Sequence, residues 1–354
     1  TMYSESQGGN MARVDVATRE GQALRPVLRP TGNEADDEDL PRYRFNWNSP
    51  FAISRHDPAT LYLGGNHLMR SPDRGMTWEE ASPDLTKAID RDTVPIMGRL
   101  VTDETLSGHD GISTYGNITA FAESKHSADA LYVGTDDGNL QVTRDGGATW
   151  TNVIDQVPGV PARTYVSRLE TSHEVDGRVY VTFDGHRNDD YAAYAYVSDD
   201  FGSTWRQITT GLPDGWSVNV IREHPRNPNL LFLGNEVGVY ASIDGGASWG
   251  RMKNNLPTVA VDDIAIHPRE NDLLLGTHGR SIWVLDDITP LEEMSAEVLA
   301  GDATLFGSRR GTIWSMGMDW PFQPATFIAP NPAPGLPIRY YLRQGVENAD
   351  DLTL

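Results

Sequence analysis

The sequence predicts an all-β protein, a β-propeller of about six to seven four-stranded blades, and three observations carry that prediction. Four segments align without gaps: Ser71-Pro-Asp73-Arg-Gly75-Met-Thr77-Trp78, Thr143-Arg-Asp145-Gly-Gly147-Ala-Thr149-Trp150, Ser198-Asp-Asp200-Phe-Gly202-Ser-Thr204-Trp205 and Ser242-Ile-Asp244-Gly-Gly246-Ala-Ser248-Trp249. Each follows a run of the form Leu-Tyr-x-Gly, as at Leu61, Leu131 and Leu231, with Val179-Tyr-Val-Thr182 as the variant. The 34 Gly and 22 Pro are spread along the 354 residues, punctuating many short segments as turn-rich β structure requires.

The motif starts lie about 44 to 72 residues apart, the range of propeller blades with loop insertions. Each motif reads as a tight hairpin in which the Asp carboxylate accepts turn N–H groups and Gly takes a positive φ. Asp73, Asp145, Asp200 and Asp244 are therefore structural, and Trp78, Trp150, Trp205 and Trp249 are expected to pack between sheets. In chain order the pattern predicts a partial blade at 1–43, full blades near 44–85, 113–158, 164–213 and 216–257, and a blade without the motif at 258–290. A seventh is either absent or built from the ends. After Pro290 the pattern fades, and 325–342 reads as a Pro-rich linker into another β element. The expected domains are a propeller over 1–300 and, over 301–354, the linker and start of a second β domain.

Formal net charge is −21, which removes the attraction that dominates non-specific binding to nucleic acid, so nucleic acid is not expected as a partner. No apolar run approaches the roughly 18 to 20 residues that span a bilayer, so an integral membrane protein is not expected. Cysteine is absent, which excludes disulfides, thiolate metal sites and a Cys nucleophile. Thr1-Met2-Tyr3-Ser4 reads as a strand already under way, so a natural start upstream, carrying any export signal, and further domains of a longer parent chain are expected.

The four segments resemble the Asp-box, or bacterial neuraminidase repeat, of sialidases, oligoxyloglucan-hydrolysing enzymes and sortilin-type propellers, over roughly residues 44–290. The phrases Phe45-Asn-Trp-Asn-Ser-Pro50 and Gly276-Thr-His-Gly-Arg-Ser-Ile-Trp-Val-Leu-Asp-Asp287 are similar to those of large bacterial secreted proteins termed sortilin-like or glycosyl-hydrolase-like. The resemblance implies a secreted, periplasmic or cell-surface location. It also implies an active or binding face opposite the Asp-boxes, and that the β element after the Pro-rich linker is the start of a truncated β-sandwich.

Blade topology sorts residues by face. Strand 1–2 turns lie on the motif side, strand 2–3 loops and blade-to-blade connections on the other. His56, His126, His173, His224 and His267 fall at successive strand 1–2 turns and belong to the scaffold, whereas His67, His109, His186 and His278 fall on the opposite, loop face. Arg187, Arg280 and Trp216, an aromatic outside the four motifs that could offer a stacking platform, join them as candidate ligand-binding residues. The insertion at about 79–114 adds Arg99, Asp103, Glu104, His109 and Asp110 to the same rim.

Glycoside hydrolysis needs two carboxyls about 5 to 5.5 Å apart for retention or 6.5 to 9.5 Å for inversion, and the candidates are Asp136, Asp137, Asp184, Asp189 and Glu236. In so acidic a chain the competing reading is solvated loop carboxylates. Sialidase activity is disfavoured: no Phe-Arg-Ile-Pro-like segment occurs, and Arg99, Arg187 and Arg280 would form a triad only by accident of fold, whereas a carboxylate clamp needs precise placement. Gly246-Ala-Ser248-Trp-Gly250 matches a nucleophile elbow only by sitting inside a hairpin motif. Asn117-Ile-Thr119 fits a glycosylation sequon, taken as incidental. No cofactor is required. A structural Ca²⁺ could use the oxygens of Asp136-Asp137-x-Asn139 or of Asp184 with Asp189-Asp190, and no short zinc spacing is present. These residues favour an extracellular ligand-binding propeller for polysaccharide or protein, ahead of a polysaccharide-acting glycoside hydrolase and a structural subunit of a cell-surface assembly.

Overall fold

The computed structural model describes residues 1–26, 43–95, 99–102, 104–106, 114–311 and 335–346. Its strands form six successive antiparallel sheets, the blades of a six-bladed β-propeller. The first has three strands, β1 (Met2–Ser6), β2 (Asn10–Val14) and β3 (Gly21–Ala23). Four-stranded sheets follow: β4 (Phe51–Ile53) to β7 (Glu79–Glu80) through β5 (Leu61–Gly64) and β6 (Leu68–Ser71), then β8 (Ile118–Glu123), β9 (Leu131–Thr135), β10 (Leu140–Thr143) and β11 (Thr151–Asn152). The fourth blade holds β12 (Tyr165–Thr171), β13 (Val179–Asp184), β14 (Tyr194–Ser198) and β15 (Arg206–Gln207), and the fifth β16 (Val218–His224), β17 (Asn227–Asn235), β18 (Gly238–Ser242) and β19 (Gly250–Met252). The sixth has three strands, β20 (Val261–Ile266), β21 (Leu273–Thr277) and β22 (Ile282–Leu285).

The expected partial first blade is partial in a specific way. A backbone bond closes the outermost strand onto the third in the second to fourth blades: Ala81 N to Leu68 O, Val153 N to Leu140 O and Ile208 N to Ala195 O, at 2.7 to 2.8 Å. Its counterpart in the first sheet is Leu24 N to Met11 O at 2.9 Å. The first sheet therefore holds strands two to four of a blade. The sixth holds strands one to three.

The four motif turns share one bonding pattern. In the first, Gly75 N donates to Ser71 Oγ at 2.8 Å, while Thr77 N and Oγ1 donate to the two Asp73 oxygens at 2.8 and 2.7 Å. The other three repeat it at Asp145, Asp200 and Asp244. These bonds stabilise the ionised carboxyl, and hydrogen bonds from Thr149 hold Asp145 down at about 2. The indoles pin neighbouring blades: Trp78, Trp150 and Trp249 donate Nε1 to the preceding blade's Leu24, Ala81 and Ile208 carbonyls. Trp205 instead bonds Gly202 O of its own turn at 2.9 Å and still packs against the core between the third and fourth sheets. At Gly147, φ is +100° and a Cβ would stand 2.3 Å from Ala81 O, so only glycine fits.

Four apolar cores fill the four seams between the first five sheets. Each fully buried large side chain there, such as Leu61, Val133, Phe183 or Leu231, contributes roughly 1.5 to 3 kcal/mol. At Gly134 a Cβ would lie 2.2 Å from Val166 Cγ1, so the strands approach the next blade closely. On the innermost strands a polar side chain donates forward to the next: Thr119 Oγ1 to Val166 O and Ser167 Oγ to Val218 O, both at 2.8 Å, and Asn219 Nδ2 to Val261 O at 3.4 Å. The sixth sheet carries Asp262 at this position, a carboxylate 3.2 Å from His278 Nδ1.

By compactness the chain divides into two units, Thr1–Ala265 with Leu275–Trp283, and Ile266–Leu274 with Val284–Leu354. The second contains α1 (Thr289–Glu292), α2 (Ala296–Ala300) and the two-stranded ladder of β23 (Ala303–Leu305) with β24 (Tyr340–Leu342). Ser295 Oγ caps α2 by accepting from Val298 N, the satisfied N-terminal donor such a cap supplies. Asp287 is buried and ion-paired to Arg339. Most of the Pro-rich stretch expected as a linker, and the residues in which a sandwich would continue, lie outside the described residues.

Candidate functional site

Loop-face residues are gathered by register. In the third blade Ile118 pairs with Thr135, so Asp136 stands opposite Asn117. Tyr165 pairs with Asp184 in the fourth blade, and the Val218–Asn235 pair sets Glu236 opposite Ser217 in the fifth. His278 N bonds Ala260 O as Asp136 N bonds Asn117 O, and Asn66 takes the position in the second blade. Asn66, Asp136, Asp184, Glu236 and His278 thus recur one per blade, at the loop-face end of strand two.

Most of these polar groups are braced from within. Asp136, 9% exposed, accepts from Gly116 N, Asn117 N and Asn117 Nδ2 at 2.7 to 3.0 Å. Burial nevertheless outweighs these donors and lifts its carboxyl to about 6. Asp137 is fully enclosed and accepts from Thr135 Oγ1 and Lys87 N; burial raises it too. Asn139 donates Nδ2 to Leu85 O and accepts from Asn152 Nδ2. The oxygens considered for Ca²⁺ thus meet N–H and O–H donors. Among the described residues no group of three or more His, Asp or Glu is gathered to hold a metal.

In the fourth blade the loop turns through a short 3₁₀ helix, His186–Asn188. Buried Asp184 accepts from His186 N at 3.0 Å, His186 Nδ1 at 2.7 Å and Arg187 Nη1 at 3.1 Å. The Nδ1 contact with the carboxylate fixes the orientation of the His186 ring. The Arg187 guanidinium lies 4.3 Å over the Tyr165 ring, a cation–π contact. Burial raises the Tyr165 hydroxyl, helped by Asp136 and Asp184. Asp189 closes the helix with φ 58°, and Asp190 accepts from Ala192 N and the Tyr194 hydroxyl.

The remaining candidates are scattered. His67 bonds Ser82 O through Nδ1 and meets the Tyr43 ring edge-on, while Arg280 is exposed. His278 is exposed beside Asp262. Trp216 is 42% exposed, immediately before fully buried Ser217. His109, with Asp103 and Asp110, lies outside the described residues.

The sequence reading did not single out an ion-pair chain along the innermost strands. Lys125 Nζ bonds Glu170 at 2.6 Å, Arg222 bonds Glu170 at 2.9 Å and Asp263 at 3.1 Å, and Arg168 meets Asp263 at 3.0 Å. Burial alone would raise Glu170, but Lys125 and Arg222 flank it and hold it low. The signal was available. Arg168, Glu170, Arg222 and Asp263 all fall within the first strands of successive blades, and Arg168 and Glu170 are two apart, on one face.

The Asp136 shift has a testable consequence. Its folded pKa stands about two units above the ordinary value, so between about pH 4 and 6 the folded state binds the extra proton and stability falls as pH rises. At about 1.4 kcal/mol per unit, that loss is roughly 2 to 3 kcal/mol. Asp136→Asn removes the titration. Urea midpoints of this variant should decline less across that window than those of the wild type.

No protein-family model and no curated protein matches the chain. Among solved structures it is similar to the GH74 xyloglucanase of Xanthomonas campestris, with 22% identity, TM-score 0.52, and coverage of 70% of this chain and 37% of that one. It is also similar to the extracellular domain of a putative hybrid two-component system of B. thetaiotaomicron, with 12% identity, TM-score 0.50, and coverage of 79% and 31%. The chain therefore spans about a third of each structure's length, and the likeness is one of fold. Among the described residues no helix is long and apolar enough to cross a membrane.

Proposed function

We propose that this chain is an extracellular Asp-box propeller that binds polysaccharide on its loop face without cleaving it. One observation carries the reading: three of the five candidate carboxylates, Asp136, Asp137 and Asp184, spend their oxygens on protein N–H and O–H donors, and Asp136 and Asp137, the two candidates of the third blade, are both among them. A general acid or nucleophile must instead reach the scissile bond. A rigid, polar, once-per-blade array with an exposed aromatic beside it suits recognition of a hydroxyl-rich ligand.

Asp136 favours the hydrolase as a second reading, since a carboxyl lifted to about 6 suits a general acid. The two are separated by native gel electrophoresis through immobilised polysaccharides, followed by a reducing-end assay on the same polysaccharides. Binding predicts retardation with no new reducing ends. Their release, abolished by Asp136→Asn, would establish the hydrolase. Equal mobility in every polysaccharide, with retention on an extracellular-protein array, would replace glycan by protein as the ligand.

A further inference from the structure

Among the described residues only two buried side-chain polar atoms lack a hydrogen-bond partner, Arg168 Nε and Ser217 Oγ. They belong to neighbouring innermost strands. Arg168 lies on β12, Ser217 immediately precedes β16, and the 2.8 Å bond from Ser167 Oγ to Val218 O joins the two strands between them. A buried donor or hydroxyl left unpaired costs about 1 to 3 kcal/mol. Of the two, Ser217 lies at the loop-face end of the fifth blade, whereas Arg168 sits mid-strand and turns its guanidinium to Asp263 of the sixth.

At Ser217 the register array also lacks internal bracing. Asn117 faces Asp136 and bonds it; the fifth-blade counterparts are Ser217 and Glu236. The Glu236 carboxylate, half-buried, makes no hydrogen bond or ion pair among the described residues. Beside these groups stands Trp216. Its neighbours Gly215 and Asp214 line a cleft of about 450 Å³, with Tyr191, Gln207, Thr209 and apolar Ala193 and Leu212 among the other wall residues, all from the fourth blade and the connection that leads from it to the fifth. Tyr191 is 46% exposed, and no side-chain bond engages Gln207 or Asp214 among the described residues.

Two exposed aromatic rings offer faces on which the C–H face of a pyranose stacks. Amide, carboxylate and hydroxyl groups without partners suit ligand hydroxyls, each of which both donates and accepts. Charge decides the class of sugar: Asp214 and Glu236, in a chain of net charge −21, repel a uronate and accept from a neutral sugar. Building on the polysaccharide-binding reading, we propose that the seam between the fourth and fifth blades is a binding track for a neutral glycan. Tyr191 and Trp216 stack on its rings, and Gln207, Asp214 and Glu236 take its hydroxyls.

Calorimetric titration of the whole chain tests this with cellohexaose, mannohexaose, laminarihexaose and a galacturonate oligomer as probes. The variants are Tyr191→Ala, Trp216→Ala, Glu236→Gln and, as a control away from the seam, Lys253→Ala, each first checked for wild-type melting. A neutral hexasaccharide should bind, and either aromatic substitution should weaken it by about tenfold or more, equivalent to 1.4 kcal/mol. Glu236→Gln should weaken it less, and Lys253→Ala should leave it unchanged. Binding by the wild type that all three seam variants retain would overturn the track while sparing the polysaccharide reading. Tighter binding of the galacturonate would overturn the neutral class. A chain that binds no probe, and is not retarded by any immobilised polysaccharide, would sink both readings.

Discussion

Glu170→Gln is expected to lower the free energy of unfolding by about 3 to 5 kcal/mol, the cost of removing one partner from a buried ion pair. Glu170 receives Lys125 and Arg222 at 2.6 and 2.9 Å, and its side chain is 13% exposed. With the charge gone, two cations face each other across the innermost strands of the third to fifth blades. Lys125, which burial already pulls down, can shed its proton, so part of the loss should appear as a stability that recovers at alkaline pH. Replacing Lys125 and Glu170 together by Met should restore most of the stability, because a packed apolar pair does not carry the desolvation penalty. Urea denaturation of the two variants decides the matter. A single variant within about 1 kcal/mol of wild type would mean that solvent screens the pair.

Gly147→Ala should cost roughly 3 kcal/mol, combining the left-handed backbone penalty with a steric one. The added methyl meets a backbone carbonyl, Ala81 O, at 2.3 Å, and a carbonyl engaged by Trp150 Nε1 cannot retreat without loosening the seam. Gly159 is the matched control: its φ is +77°, but the nearest atom to an added Cβ is the Tyr196 hydroxyl at 4.0 Å. Gly159→Ala should therefore show only the backbone term, about 1 to 2 kcal/mol. Equal losses at both positions would show that close packing of the turn contributes nothing.

The propeller was legible in the sequence because the motif joins three kinds of constraint in eight residues: a carboxylate for the turn, a glycine for its φ, and an indole for the next seam. The first blade was less so. Its turn runs Asp15-Val16-Ala17-Thr18, with the Asp15 carboxylate accepting from Ala17 and Thr18, and no Gly-x-Thr-Trp follows to mark strand order. That the sheet holds strands two to four emerges only from the Leu24–Met11 bond.

Loop-face candidates were legible for a related reason. Asp136, Asp184, Glu236 and His278 each fall at the loop-face end of a recognisable apolar strand, so topology alone assigns their face. Their occupancy was not. Whether a carboxylate is braced, as Asp136 is by Gly116 and Asn117, or unengaged, as Glu236 is, depends on which side chain the opposite strand supplies. A one-residue change there, Asn117 against Ser217, changes a closed site into an open one. Arg168 and Glu170 escaped notice because charge on a strand ordinarily signals a solvated face, and here the alternating face turns toward other blades.

The forward bonds from Thr119, Ser167 and Asn219 amount to a rule of grammar for duplicating this architecture. A blade copied in after the third, fourth or fifth sheet finds a donor already waiting for its first carbonyl, and it carries a donor of its own to hand on. A copy added after the sixth meets the Asp262 carboxylate, which offers that carbonyl no hydrogen. Growth of the array by tandem copying is therefore welcomed in its interior and discouraged at that junction, a preference written into one side chain per repeat.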